Sequence, residues 1–283
     1  MLATIMPRVH LWEWHDLPQT PDTLRLWVTE ILQKLWSLPS FVSPSLLSTR
    51  LGLPAYRSSA PRLAEALRST KSDSIIDLCS GSGGPLPFVQ AELDKLGVRV
   101  NIELSDLVPN VIAFQMRQQD CPCGPERLSF ISSSVDATKC KKKGFRTMYA
   151  CLHHFRPDMV QSILQDAVDS NSGIAIFEGT ERSLFNICFL YPILVPIATL
   201  LLVPFQRPFS WMRLFFTYVV PVLPAVLGHD GLVSCLRTYS PKEMQAIIAK
   251  VNGSERFTWS LGVDRFLLGP NQVYYIGVPK RQD

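Results

Sequence analysis

The sequence predicts an α/β fold: a doubly wound, mostly parallel sheet with an antiparallel closing hairpin, an N-terminal helical cap and a hydrophobic helical insert. Three observations carry this. From residue 74 to residue 177 short apolar runs alternate with amphipathic stretches, the pattern of a parallel sheet with helices on both faces. The first run ends in a glycine-rich turn, Cys79-Ser80-Gly81-Ser82-Gly83-Gly84. After the last helical stretch, two runs near 257–261 and 273–278 follow each other closely, which suits an antiparallel hairpin at a sheet edge.

The elements follow in order. Thr23–Trp36 places Leu24, Trp27, Ile31, Leu32 and Leu35 at helical spacing, and Pro61–Ser69 is a shorter helix with Leu63, Ala66 and Leu67 on one side. Together, residues 1–70 read as a helical cap. Strands are expected at Ser74–Leu78, Val98–Leu104, Leu128–Ser132, Phe145–Leu152 and Gly173–Phe177. Helices are expected at Pro85–Leu96, Val111–Gln119 and Pro157–Asp169, the last with proline in its first turn. Ser240-Pro-Lys-Glu243 is a capping box for a helix over Pro241–Val251. Residues 71–183 and 229–283 are expected to form one domain, with 184–228 as an insert.

Composition excludes several classes. The chain has 283 residues, 47% of them hydrophobic, and a net charge of +4. That is too apolar for disorder and too weakly basic for a nucleic-acid coat. Charged residues make up only 18%, against about 25% in soluble domains, and mean hydropathy is +0.13. Seven cysteines are an odd set, which argues against a disulfide framework. Cys121, Cys123 and Cys140 match no common zinc spacing, so no metal is expected. The first residues lack the apolar run of a signal peptide. The expected location is intracellular, cytoplasmic or membrane-associated, and not secreted.

The glycine turn sits at the carboxyl end of the first strand, where doubly wound sheets bind ligands. Gly81 and Gly83 allow close approach of backbone to ligand. Asp106 follows the second strand, where a carboxylate accepts hydrogen bonds from ribose hydroxyls. Asp136 follows the third strand in Val135-Asp136-Ala137-Thr138, where a carboxylate can accept from an adenine amino group. A dinucleotide fingerprint would have glycine where Leu86 stands, and no phosphate-loop motif is present.

This set resembles the class I S-adenosylmethionine-dependent methyltransferases, whose fold is Rossmann-like. The resemblance rests on Asp77, Gly81 and Gly83 around the first turn, on Asp106, on the pair Asp136-Ala137, and on Cys151-Leu152-His153-His154-Phe155 after the fourth strand. Cys79 stands where the family usually has its first glycine. The resemblance implies S-adenosylmethionine as cofactor. Asp77, Ser80, Gly81, Ser82, Gly83, Asp106, Leu107, Asp136 and Ala137 would hold it.

Methyl transfer to a hydroxyl or acidic carbon needs a base, and His153 or His154 has a suitable ordinary pKa. Glu178 at the end of strand five, with Trp211, Arg237 and Tyr239, is a candidate for substrate contact. Arg237 would grip a carboxylate or phenolate, or pair with Asp230 as the chain re-enters the fold. Lys141-Lys142-Lys143 reads as a solvated turn.

No charged residue lies between Arg182 and Arg207, and Leu214–Gly228 is also uncharged. Lengths of this kind suit a membrane-spanning candidate, but the closing strands must rejoin the same sheet, so a single crossing is excluded. The insert is a leaflet-embedded hairpin, a pair of spans or a lid over an apolar pocket. In each case the partner is a small lipophilic substrate, with membrane contact through 184–228 in the first two. The expected function is methylation of a small lipophilic metabolite, as in O-methylation of a polyketide or terpenoid. The alternatives are methylation of a membrane lipid or quinone, and a membrane-tethered scaffold that keeps the fold without turnover.

Overall fold

The computed structural model describes residues 6–37, 56–266 and 271–280. It divides the chain into two compact units, Met1–Leu38 with Thr180–Ser240 and Pro39–Gly179 with Pro241–Asp283. In chain order the elements are α1 (Asp22–Ser37), α2 (Ala60–Thr70), β1 (Ser74–Asp77), α3 (Leu86–Lys95), β2 (Asn101–Leu104) and α4 (Val111–Gln119). Then come β3 (Leu128–Phe130), β4 (Phe145–Tyr149), α5 (Pro157–Asp169) and β5 (Ile174–Glu178). A π-helical stretch (Asn186–Leu194), α6 (Val195–Leu202), α7 (Trp211–Tyr218) and α8 (Val222–Arg237) follow. The chain closes with α9 (Pro241–Ile248), β6 (Phe257–Asp264) and β7 (Gln272–Pro279).

In the second unit seven strands form one sheet in the order β3-β2-β1-β4-β5-β7-β6. The pairs from β3 to β5 are parallel, and β7 runs antiparallel between β5 and β6. All residues of β4 and β5 are buried, as a parallel sheet covered on both faces requires. Helix α5 buries one stripe, Val160, Ile163, Leu164, Ala167 and Val168. The β2 strand is shorter than the apolar run Val98–Leu104 because its pairing with β1 begins only at Ser74↔Asn101.

The first unit differs from the expected division. The two helices assigned to one N-terminal cap fall in different units. Helix α1 packs Trp27, Val28 and Ile31 on Val203, Leu223, Val226 and Leu227 of its own unit. Helix α2 instead buries Leu63, Ala64 and Leu67 in the sheet unit. Each apolar stripe needs a covering surface, and spacing along the chain does not say which one it finds. Likewise residues 229–237 continue helix α8 rather than starting the returning domain. Residues 38–55 of the expected cap lie outside the described residues.

Candidate active site

The carboxyl edge of the sheet carries the site in the second unit. Strand β1 ends at Asp77, which is buried, and its neighbour in β4 is Thr147. The Thr147 hydroxyl donates to Asp77 Oδ1 at 2.7 Å, and the Ser80 hydroxyl donates to Oδ2 at 2.6 Å. Burial pushes the Asp77 carboxyl up to about 7, against the pull of those two hydroxyls, and the charge of Asp106 adds to the rise. Asp77 and Ser80 therefore brace the turn from beneath. The Ser80 amide also donates to Ser105 O at 2.9 Å, tying the turn to the end of β2.

The turn itself runs through left-handed backbone. Gly81 has φ +56° and Gly83 φ +100°. A Cβ on Gly83 would lie 2.4 Å from Arg117 Cγ, whereas one on Gly81 would meet open space. Cys79 keeps φ +58° although it is not glycine, and Ala150 at the end of β4 has φ +51°. Two non-glycine residues held in this region just after adjacent strands store strain at one edge of the sheet.

Asp106 spans the turn and its own loop. Its Oδ2 accepts the Gly81 amide at 2.8 Å and its Oδ1 accepts the Val108 amide at 2.9 Å. Leu107 beside it is 59% exposed. Ser134 Oγ donates to Leu107 O at 2.7 Å, and the Val135 amide donates to Asp106 O at 2.8 Å, joining the loops after β2 and β3. Asp136 is exposed, and its Oδ1 accepts both the hydroxyl and the amide of Thr138. These bonds hold its carboxyl below the usual range. Ala137 beneath it is buried, while Ser82 is half-buried on the turn.

Strand β4 ends in a single 3-10 turn, Leu152–His154. His153 is buried and His154 half-buried, with ring centroids 4.3 Å apart. His153 Nδ1 lies 2.8 Å from Glu178 Oε2, and the His153 amide donates to Glu178 Oε1 at 3.3 Å. Glu178, read from the sequence as a substrate contact, is itself buried and serves to orient the histidine. Tyr56 is a residue that sequence reasoning missed. It is buried, and its hydroxyl accepts the Gly179 amide at 2.9 Å. Burial, and then the charge of Glu178, push its phenol well above the ordinary value. No motif surrounds Tyr56; its one signal is a lone aromatic just before the second helix.

The remaining candidates lie in the other unit. Arg237 is buried, with Nη1 2.6 Å from Asp16 Oδ2 and 3.2 Å from Glu13 Oε1, and its Nε donates to Leu11 O. Its guanidinium thus binds its own chain rather than presenting a fork to a substrate anion. Asp230, the expected partner, accepts the amides of Trp14 and His15 at 2.9 and 3.1 Å. Tyr239 is buried under the Arg8 guanidinium, 3.9 Å from the ring centroid. Trp211 is 77% exposed and meets Phe209 edge-on.

No protein-family model matches the sequence, and no curated protein matches it. Solved structures do. Magnesium protoporphyrin IX methyltransferase from Synechocystis PCC 6803, solved with bound S-adenosylhomocysteine, is 10% identical with a TM-score of 0.50. The match covers 92% of this chain and 97% of that one. An O-methyltransferase family protein from Burkholderia thailandensis is 11% identical with a TM-score of 0.47, over 93% of this chain and 71% of that one. At such identity the likeness is one of fold: the chain has the class I methyltransferase fold.

Proposed function

We propose that this chain is an S-adenosylmethionine-dependent methyltransferase that methylates a hydroxyl of a small lipophilic metabolite, of polyketide or terpenoid type. The observation that carries the reading is the buried His153–Glu178 pair on the same sheet edge as the glycine turn and Asp106. The residues present fit the cofactor. A carboxylate offers about four acceptor positions, and the two backbone amides on Asp106 use two of them, which leaves acceptors for a ribose diol. Both Thr138 bonds to Asp136 use Oδ1, which leaves Oδ2 for an adenine amino group. The open space above Gly81 suits close approach of a ligand to the turn.

Bound S-adenosylmethionine supplies a methyl group activated on a sulfonium. The protein aligns the acceptor and removes its proton. The Glu178 carboxylate only accepts hydrogen bonds, so it keeps the His153 proton on Nδ1 and leaves the Nε2 lone pair to act as base. The hydroxyl proton passes to His153 Nε2, and the imidazolium so formed is stabilised by Glu178. Calorimetry with S-adenosylhomocysteine tests the reading: micromolar binding by the natural chain, reduced at least tenfold by Asp106→Ala, is expected. A natural chain that binds no S-adenosylhomocysteine overturns it.

A further inference from the structure

The first unit contains a segment whose polarity is turned inside out. Along residues 185–220 the buried side chains include Asn186, Thr199, Gln206, Arg213 and Thr217, each at most 7% exposed. The large apolar ones point outward: Phe189 is 55% exposed, Phe205 71%, Trp211 77% and Val219 66%. A helix in water does the reverse.

The buried polar groups are satisfied within the unit. Arg213 pairs with Glu30 at 2.6 Å and donates to Gln206 O and Pro208 O. Asn186 Nδ2 donates to Glu181 O at 2.9 Å. Thr199 and Thr217 donate their hydroxyls to carbonyls one turn back, on Val195 and Arg213. This is how polar residues are managed in proteins whose outer face meets hydrocarbon.

The exposed surface is large. Phe185, Phe189, Phe205, Phe209, Trp211 and Tyr218 each expose half or more of their surface. At roughly 200 Å² per aromatic ring their exposed area sums to about 700 Å² within this one segment. Phe185, Phe189, Ile193 and Leu194 also line an open groove with no polar lining. Between Arg182 and Arg207 the segment has no charge, whereas protein–protein interfaces are only about 56–65% apolar and carry polar rims. That difference favours lipid over a second copy of the chain.

The topology decides how the segment lies. Asn186–Phe205 is long and apolar enough by length and composition to cross a membrane, with 11% of it buried. The chain on either side of it belongs to one sheet, in which β5 pairs with β7, so a crossing requires a return. Helix α7 has eight residues and reaches about 12 Å, against a hydrocarbon core of about 30 Å. Helix α8 bends away from it by 68° and holds buried Asp230 and Arg237 in hydrogen bonds and ion pairs. Only the bent pair taken together has the length of a second span, and its 68° bend and the buried charges of α8 set it against a straight crossing.

We propose that the apolar face of residues 185–220 is seated in one leaflet of a phospholipid bilayer and lies along it without crossing. The inference does not rest on methyl transfer, and its test does not read activity. Full-length protein is mixed with vesicles of phosphatidylcholine containing a quarter phosphatidylglycerol and floated on a density gradient. Most of it is expected to rise with the vesicles and to stay bound in high salt, because the contact is apolar. The double variant Phe205→Glu with Val219→Glu is expected to lose more than tenfold in partitioning with unchanged circular dichroism and Tm. An environment-sensitive maleimide on Cys188, the exposed cysteine among those described, should shift to the blue when vesicles are added. Protein that stays at the bottom of the gradient, as a monomer or as a soluble dimer by light scattering, overturns the proposal. So does a double variant that still floats, or a Cys188 label quenched only by groups at the bilayer centre.

Discussion

His153 Nδ1 lies 2.8 Å from Glu178 Oε2, and the other oxygen of that carboxylate accepts the His153 amide. One acid therefore fixes both the ring and the backbone of one histidine. The two sit at the ends of adjacent strands, since β4 pairs with β5 through Tyr149↔Phe177. Removing the proposed base by His153→Ala should lower kcat about 10²–10⁴-fold. Glu178→Gln keeps an acceptor of the same size but removes the charge that stabilises the imidazolium, and should lower kcat by about 10–10²-fold with an unchanged KM for S-adenosylmethionine. A KM that rises in step with the fall in kcat would mean that Glu178 supports the fold of the site rather than the orientation of the base.

Two residues of the turn should respond with opposite sign. Cys79 is a non-glycine residue at φ +58°, a conformation that costs a side-chain-bearing residue about 1–2 kcal/mol. Cys79→Gly relieves that strain and is expected to raise Tm by about 2–4 °C. Gly83 has φ +100°, and an added Cβ would press on Arg117 Cγ at 2.4 Å. Gly83→Ala is expected to lower Tm by a similar or larger amount and to weaken S-adenosylhomocysteine binding. Differential scanning fluorimetry of the two variants beside the natural chain decides it, and equal shifts of one sign would refute the strain argument.

The same turn shows what the sequence could and could not reveal. Glycines, a following strand-end acid and the regular alternation of strand and helix are local patterns, and they gave the order of the elements along this edge of the sheet. Helices α4 and α5 begin and end where their periodicity and flanking Pro157 place them. The partners of buried charges were not legible. Glu178 finds His153 25 residues away and Arg237 finds Asp16 221 residues away, and no spacing rule connects such pairs. The inverted burial of residues 185–220 was hidden for a related reason. A run of apolar residues looks alike whether it faces a core or a solvent, and only packing tells which.

Asp77 gives a pH dependence with a definite sign. Its carboxyl is raised from 3.8 to about 7 by burial in the folded protein. Between those values the folded chain holds a proton that the unfolded chain has lost. Stability from this group is therefore complete below about pH 4 and declines as pH rises toward 7. Asp77→Asn stays neutral throughout, and Ser80 Oγ can still donate to the main-chain carbonyl of residue 77 at 3.1 Å. The Tm of the natural chain minus that of the variant should fall from pH 4 to pH 7 and then level off. Parallel Tm curves would rule the assignment out.

In the first unit, Arg213 and Glu30 test whether the polar interior of the inverted segment holds it together. Arg213 is 2% exposed and donates to Glu30, Gln206 O and Pro208 O. Burial raises the Glu30 carboxyl while Arg213 pulls it back down, so the acid depends on its partner to stay charged. Arg213→Met strands both carbonyls and the carboxylate, and should cost about 3–5 kcal/mol, a fall in Tm on the order of 10 °C. Glu30→Gln leaves an acceptor facing the guanidinium and should cost less. Adding Glu30→Leu to Arg213→Met should recover part of the loss, because the second change removes the stranded charge. Partners in one network couple rather than add. Strictly additive Tm shifts across this cycle would show that Arg213 and Glu30 are not energetically coupled, and that the pair does not hold the inverted segment together.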